Sequence, residues 1–98
     1  MEYRQEKKIE QALCAKVKAS GGVALKIVSP GFAGVPDRLV LRKGRANFVE
    51  LKAPGQKPTP RQLAVHRLFA KWGFPVRIID SLAAVDAFVW WLEEGDAS

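Results

Sequence analysis

Asp37 and Glu50, with Lys52 two positions beyond the second acid, are the residues whose types and spacing can do chemistry. Two carboxylates brought together can hold one divalent cation, and an ammonium beside them can meet a phosphate or orient an attacking water. Side chains at i and i+2 of a strand share a face, so Glu50 and Lys52 project together while Leu51 turns away. The run Asp37-Arg38-Leu39-Val40-Leu41-Arg42, then Lys43-Gly44, then Arg45-Ala46-Asn47-Phe48-Val49-Glu50 reads as a hairpin closed by a two-residue turn. That register pairs Arg42 with Arg45 and Leu39 with Phe48, and it sets Asp37 opposite Glu50 with Cβ atoms roughly 5 Å apart. Lys-Gly is a weaker two-residue turn than Asn-Gly, and a bulge at Gly44 would slip the pairing by one residue. The face pattern favours the unslipped register: Asp37, Leu39 and Leu41 on one strand, Ala46, Phe48, Glu50 and Lys52 on the other, an apolar face ending in a polar tip. The arrangement points to a metal-dependent nuclease site. Glu-x-Lys alone is equally the signature of a structural ion pair at a hairpin end.

The elements that must position these residues follow from periodicity. Residues 2–20 predict a helix with Ile9, Ala12, Leu13 and Val17 at i, i+3, i+4 spacing, stopped by Gly21-Gly22. Glu6 falls within that apolar stripe and Glu10 on its edge, so Glu6 is the acid expected to face inward. Val23 to Val28 predicts a short strand, and Ser29 to Gly34 a loop leading into the hairpin. A second loop, Ala53 to Pro58, ends at a marked helix start: Thr59 as N-cap, Pro60 at the first helical position, and Gln62 three residues after the cap. Val65, Leu68, Phe69 and Trp72 give that helix its expected buried stripe, with Gly73 as its stop. Val76 to Ile79 predicts a fourth strand beside or near the Glu50 strand. Ser81 caps a last helix with Val85, Phe88, Val89 and Leu92 inward. The expected class is α/β, a mixed sheet flanked by helices in the order α-β-β-β-α-β-α.

Ninety-eight residues, 48% hydrophobic and 27% charged, make one domain (1–98) with a modest core and the composition of an ordinary globular protein. The net charge of +6 is spread ahead of an acidic end, Glu93-Glu94-Gly95-Asp96, so residues 93–98 are expected to form a flexible tail and the rest is more basic than the total. Such a field favours polyanions, nucleic acid above all. The one cysteine, Cys14, has no partner within the chain. It is expected as a small buried residue in a reducing, cytoplasmic compartment. No signal peptide and no apolar run of spanning length is expected from the sequence.

Gly34-Val-Pro-Asp37-Arg-Leu, then Phe48-Val-Glu50-Leu-Lys52-Ala-Pro, then Gln62 with its helix, together resemble the VRR-NUC domain of the PD-(D/E)xK nuclease superfamily. The resemblance runs from the first-helix glutamate to the last strand. It implies a restriction-endonuclease-like core that hydrolyses phosphodiester bonds with Mg2+ or Mn2+. Asp37 and Glu50 match the family's metal-binding acids, with the Leu51 carbonyl as a further oxygen ligand. Lys52 matches its catalytic lysine, and Glu6 its first-helix glutamate, which meets the metal directly or through water. Gln62 matches the glutamine that supports the active site. Stand-alone phage and bacterial members of the family are small, dimeric and associated with branched DNA such as Holliday junctions. Larger members carry the domain at the C-terminus of repair nucleases.

Gln62 also completes a capping box with Thr59, so two roles are expected to compete for one amide. A third acid, Glu6, is what a second metal would need. His66, the only histidine, is expected as a surface or packed helix residue rather than a general base or ligand. No base-reading module is recognisable, so specificity is expected from DNA shape, with phosphates met by scattered basic residues, candidates being Lys7, Lys8, Lys57, Arg61 and Arg67, while Lys26 is expected as a solvated strand lysine. Of the adjacent Trp90 and Trp91, one must lie off the last helix's buried face, which suggests a contact surface and a homodimer. Two other functions fit the sequence: a non-catalytic nucleic-acid-binding module, or a nuclease subunit that needs a partner. The intact Asp37, Glu50 and Lys52 set disfavours the first of these.

Overall fold

The computed structural model describes residues 2–97 and shows the expected order of elements: α1 (Glu2–Ala19), β1 (Val23–Lys26), β2 (Arg38–Arg42), β3 (Arg45–Leu51), α2 (Pro60–Lys71), β4 (Val76–Ile79) and α3 (Leu82–Glu94), closed by a 3-10 turn at Gly95–Ala97. The four strands form one mixed sheet in the order β1-β2-β3-β4, antiparallel up to β3 and parallel between β3 and β4. The chain from β3 to β4 passes through α2, the crossover a parallel pair requires.

The hairpin register is the unslipped one, with Arg42 facing Arg45, Leu39 facing Phe48 and Arg38 facing Val49. Lys43 and Gly44 both carry positive φ, 47° and 76°, so the turn is of the I′ kind whose twist matches the strands. Lysine tolerates the left-handed region poorly, but the alternative bulge would have turned Glu50 out of its face.

Alternation along the strands separates two faces of unequal character. Val40, Val49, Leu51 and Ile79 point to the face covered by α1 and α3, where they meet Ile9, Leu13, Val17, Val85, Phe88, Val89 and Leu92 in one buried cluster. Burying each such side chain contributes roughly 1.5–3 kcal/mol, so this layer dominates the stability. Leu39, Phe48 and Glu50 point to the other face, which α2 covers only at the β3–β4 end. There Phe69 and Phe74 meet Phe48 edge-on at 5.0 and 5.8 Å. The apolar face anticipated beneath the acids is thus the thinner of the two. The stripe expected on α2 is corrected accordingly: Val65 and His66 are buried and Phe69 partly so, while Leu68 and Trp72 are exposed. α2 overhangs the sheet edge and has too little beneath it to bury a full stripe.

Two glycines end α1 for different reasons. Gly21, at φ +90°, donates to the Lys18 carbonyl and Gly22 to that of Val17, the paired bonds of a Schellman cap. A Cβ on Gly22 would sit 2.7 Å from the Leu41 carbonyl oxygen, so close approach to β2 forbids a side chain there. The acidic end is not a loose appendage among the described residues. Glu93 and Glu94 finish α3, and both oxygens of Asp96 are bonded by the buried Arg42 guanidinium, which also donates to Ser20 and Leu92. That guanidinium, with Lys43 beside it, holds the Asp96 carboxyl down at about 2. Ser98 lies outside the described residues. Among the described residues no helix is long and apolar enough to cross a membrane. Cys14 is a partly exposed free thiol rather than a buried one.

Candidate active site

Asp37 stands one residue ahead of β2, placed by the Gly34-Val35-Pro36 segment before it. Gly34 has φ +87°, and a Cβ on it would lie 3.0 Å from Val65 Cγ2 and 3.2 Å from the Arg61 carbonyl, so the segment is packed directly on α2. Pro36 is fully buried and, when the register of β2 and β3 is continued, it faces Leu51. In an antiparallel ladder that position would donate an N–H to the Leu51 carbonyl, and proline has none. The Leu51 N–H is taken by the Asp37 side chain instead, its Oδ2 accepting at 2.8 Å. Lys52 N–H points the other way and bonds the Ile79 carbonyl of β4 at 3.0 Å. The β2–β3 ladder ends at Arg38–Val49 and the chain bends at Asp37, so the Asp37 carboxylate meets Leu51 where the regular pairing stops.

Glu50 is 1% exposed and is held from two elements. Gln62 Nε2 donates to its Oε2 at 2.9 Å, and Lys52 Nζ lies 3.5 Å from the same oxygen. Burial pushes the Glu50 carboxyl up to about 7, the charge of Asp37 adds to that, and Lys52 partly offsets it. Without a cation the pair is thus a strained arrangement of like charges, relieved by a proton near neutral pH.

Gln62 corrects the expected competition between roles. Its Oε1 accepts from the Thr59 N–H at 2.9 Å while Thr59 Oγ1 accepts from the Gln62 N–H at 3.1 Å, and its Nε2 remains for Glu50. An amide has two ends, and the helix cap uses only the oxygen.

Glu6 and Asp37 line one cleft of about 250 Å³, together with Lys7, Glu10, Lys26, Ile27 and Leu51. Desolvation and then the charge of Asp37 raise the Glu6 carboxyl, with Lys52 opposing. Glu10 is engaged otherwise: its Oε2 accepts from Arg38 Nη2 at 2.9 Å, and that bond holds its carboxyl low. Both glutamates thus line the cleft, but Glu10 is paired with Arg38 whereas the Glu6 carboxyl is raised beside Asp37. No three His, Cys, Asp or Glu side chains converge tightly enough among the described residues to cage a cation alone. The carboxylates brought together here are those of Asp37 and Glu50, with Leu51 bound to Asp37 through its N–H. Such a set suits a hard cation that retains several waters and does not demand an all-protein cage.

One neighbour of the site was not anticipated from the sequence. His66, one turn after Gln62, is buried at 9% exposure with Nε2 3.7 Å from Glu50 Oε1. Its i+4 spacing from Gln62 was the available signal, since both residues fall on one face of α2. Among the expected phosphate contacts, Arg61 donates to the Ala33 carbonyl at 3.5 Å and Lys7 pairs with Glu10 at 3.4 Å, whereas Lys8, Lys57 and Arg67 are exposed, as is the strand lysine Lys26. On α3 both tryptophans lie off the buried face. Trp90 is 64% exposed; Trp91, at 37%, stacks on Phe88 with the Arg77 guanidinium 4.0 Å from its ring centroid.

With this geometry in place, the chain can be set beside known proteins. It is 54% identical over 83 residues to "Putative nuclease p44" of Acyrthosiphon pisum secondary endosymbiont phage 1, a match spanning 83% of this chain and 88% of the relative. A solved structure named "VRR_NUC domain" superposes with a TM-score of 0.79 at 34% sequence identity, covering 87% of this chain and 94% of that one. No family model matches the sequence.

Proposed function

From the premise that this chain belongs to the VRR-NUC family of nucleases, we propose that it is a Mg2+- or Mn2+-dependent endonuclease that cleaves DNA phosphodiester bonds, acts as a homodimer and prefers branched substrates such as four-way junctions. Asp37, Glu50 and the Leu51 carbonyl would hold the cation, which would supply polarisation of the scissile phosphate and neutralisation of its developing charge. Lys52, fixed beside Glu50, supplies positive charge to the phosphate or holds the attacking water. Gln62 keeps Glu50 oriented. Glu6, which lines the same cleft as Asp37, would meet the cation directly or through water. The chain works in the cytoplasm of a bacterial or phage-infected cell, a reading supported by its phage relative.

The observation that carries this reading is the buried Glu50 beside Asp37, with its carboxyl raised to about 7. A module that only bound nucleic acid would gain nothing from it, because two carboxylates repel phosphates and burying one of them destabilises the fold. The test is incubation of the purified protein with labelled single-stranded, duplex, flap and four-way-junction DNA in Mg2+, Mn2+ or EDTA. Cleavage is expected with either metal, fastest on the branched forms, and none in EDTA. Asp37→Ala and Glu50→Ala should be inactive, and Lys52→Ala should bind metal without turning over. Binding of all four DNAs with no cleavage in either metal would overturn this reading in favour of a non-catalytic module or a subunit that needs a partner.

A further inference from the structure

We propose that His66 is a positioning residue for Glu50, its Nε2–H donating to Glu50 Oε1 while Gln62 donates to Oε2, so that α2 holds the carboxylate by both oxygens. The inference rests on the nuclease reading for its purpose but on the geometry for its substance. Glu50 Oε1 and His66 Nε2 are both buried and neither has a hydrogen-bond partner. They face one another at 3.7 Å. Buried polar atoms are rarely left unsatisfied, and two orphans pointed at each other are most simply each other's partner. Roughly half an ångström of side-chain movement would bring the pair into hydrogen-bond range. Gln62 and His66, at i and i+4, already project from the same face of α2 toward the same carboxylate.

The arrangement matters because a carboxylate held at one oxygen can still swing about that bond. Held at both, it has a single orientation, and the remaining lone pairs of Glu50 stay turned toward Asp37 and the Leu51 carbonyl. Groups that orient a ligand in this way typically change metal affinity or activity by about 10- to 100-fold when removed. A packing role alone would make no such demand, since a phenyl ring would fill the same space.

Three measurements decide it. In EDTA at pH 8.5, imidazole nitrogen chemical shifts should show the His66 proton on Nε2; a proton on Nδ1 would leave Nε2 unable to donate and would overturn the proposal. His66→Phe should weaken Mn2+ binding, measured by calorimetry without DNA, by about tenfold, and lower kcat by a similar factor with KM for DNA within about twofold. His66→Gln, which restores an N–H at the Nε2 position, should recover both to within about threefold of wild type. Wild-type Mn2+ affinity in His66→Phe, or a His66→Gln variant as deficient as His66→Phe, would reduce His66 to a packing residue. Failure of wild-type protein to cleave any DNA would defeat the nuclease reading while leaving the tautomer to decide this one.

Discussion

Glu50 carries the main electrostatic conflict of the molecule, and its consequence is measurable without any substrate. Its carboxyl is raised from 4.5 to about 7 in the folded chain. A folded acid with a raised pKa binds its proton more tightly than the unfolded chain does. The resulting stabilisation is therefore complete below about pH 4.5 and lost as pH rises through about 7. In EDTA the melting temperature should fall between pH 5 and pH 8, by an amount on the order of 2–3 kcal/mol of stability. Glu50→Gln should abolish most of that slope, melt higher than wild type at pH 8, and be inactive. A flat wild-type profile in EDTA would show that Glu50 carries no such conflict. Glu6 and Glu10 separate in a similar way. Glu6→Gln should lower activity with little change in melting, since its carboxyl lines the cleft and is raised by desolvation and by Asp37. Glu10→Gln should instead cost on the order of 1 kcal/mol of stability through the lost Arg38 bond, with activity retained. A larger activity loss at Glu10 would reverse these assignments. The acids and the lysine were legible because strand alternation fixes which side chains share a face. His66 was not, because a lone histidine on a helix acquires meaning only when the residue opposite it is known.

At the scale of elements, α2 joins stability to the site through a single residue. The Thr59 cap and the Glu50 contact use opposite ends of the Gln62 amide, so the two functions can be cut apart. Thr59→Ala should cost about 1 kcal/mol, with kcat nearly unchanged. Gln62→Ala should cost a comparable amount and also lower turnover, because it releases Glu50. Equal kcat in both variants, measured at saturating metal, would limit Gln62 to capping. The boundaries of α2 could be read directly from Thr59, Pro60, Gln62 and Gly73, and the hairpin register from the alternation on either side of Lys43-Gly44. The exposure of Leu68 and Trp72 could not. Periodicity reports which residues share a helix face, but not how much sheet lies beneath that face. Nor did the sequence reveal that the Asp37 side chain would take the Leu51 N–H just beyond the end of the ladder.

For the whole molecule the open question is what covers the second face of the sheet. α1 and α3 both pack on one side, and α2 reaches only the β3–β4 end of the other. On the uncovered part Val23 faces Leu41 and Leu25 faces Leu39 across β1 and β2, and Val23, Leu25 and Leu41 are exposed. The sequence pointed to Trp90 and Trp91 as the dimer contact, and the geometry weakens that choice. Trp91 is already packed against both Arg77 and Phe88, whereas Trp90 is 64% exposed. A single tryptophan is a small part of the roughly 800 Å² each partner contributes to a stable interface. The open strands β1 and β2 offer a broader apolar area, and a second copy about a twofold axis would cover both faces at once. Leu25→Glu should therefore yield monomers by light scattering at micromolar concentration, whereas Trp90→Glu should remain dimeric. The Leu25→Glu monomer should lose four-way-junction cleavage more steeply than cleavage of flaps or duplex, because each site survives but the paired geometry does not. A dimer in Leu25→Glu together with a monomer in Trp90→Glu would return the interface to α3. A wild-type monomer that cleaves junctions at full rate would remove the twofold axis from the mechanism altogether.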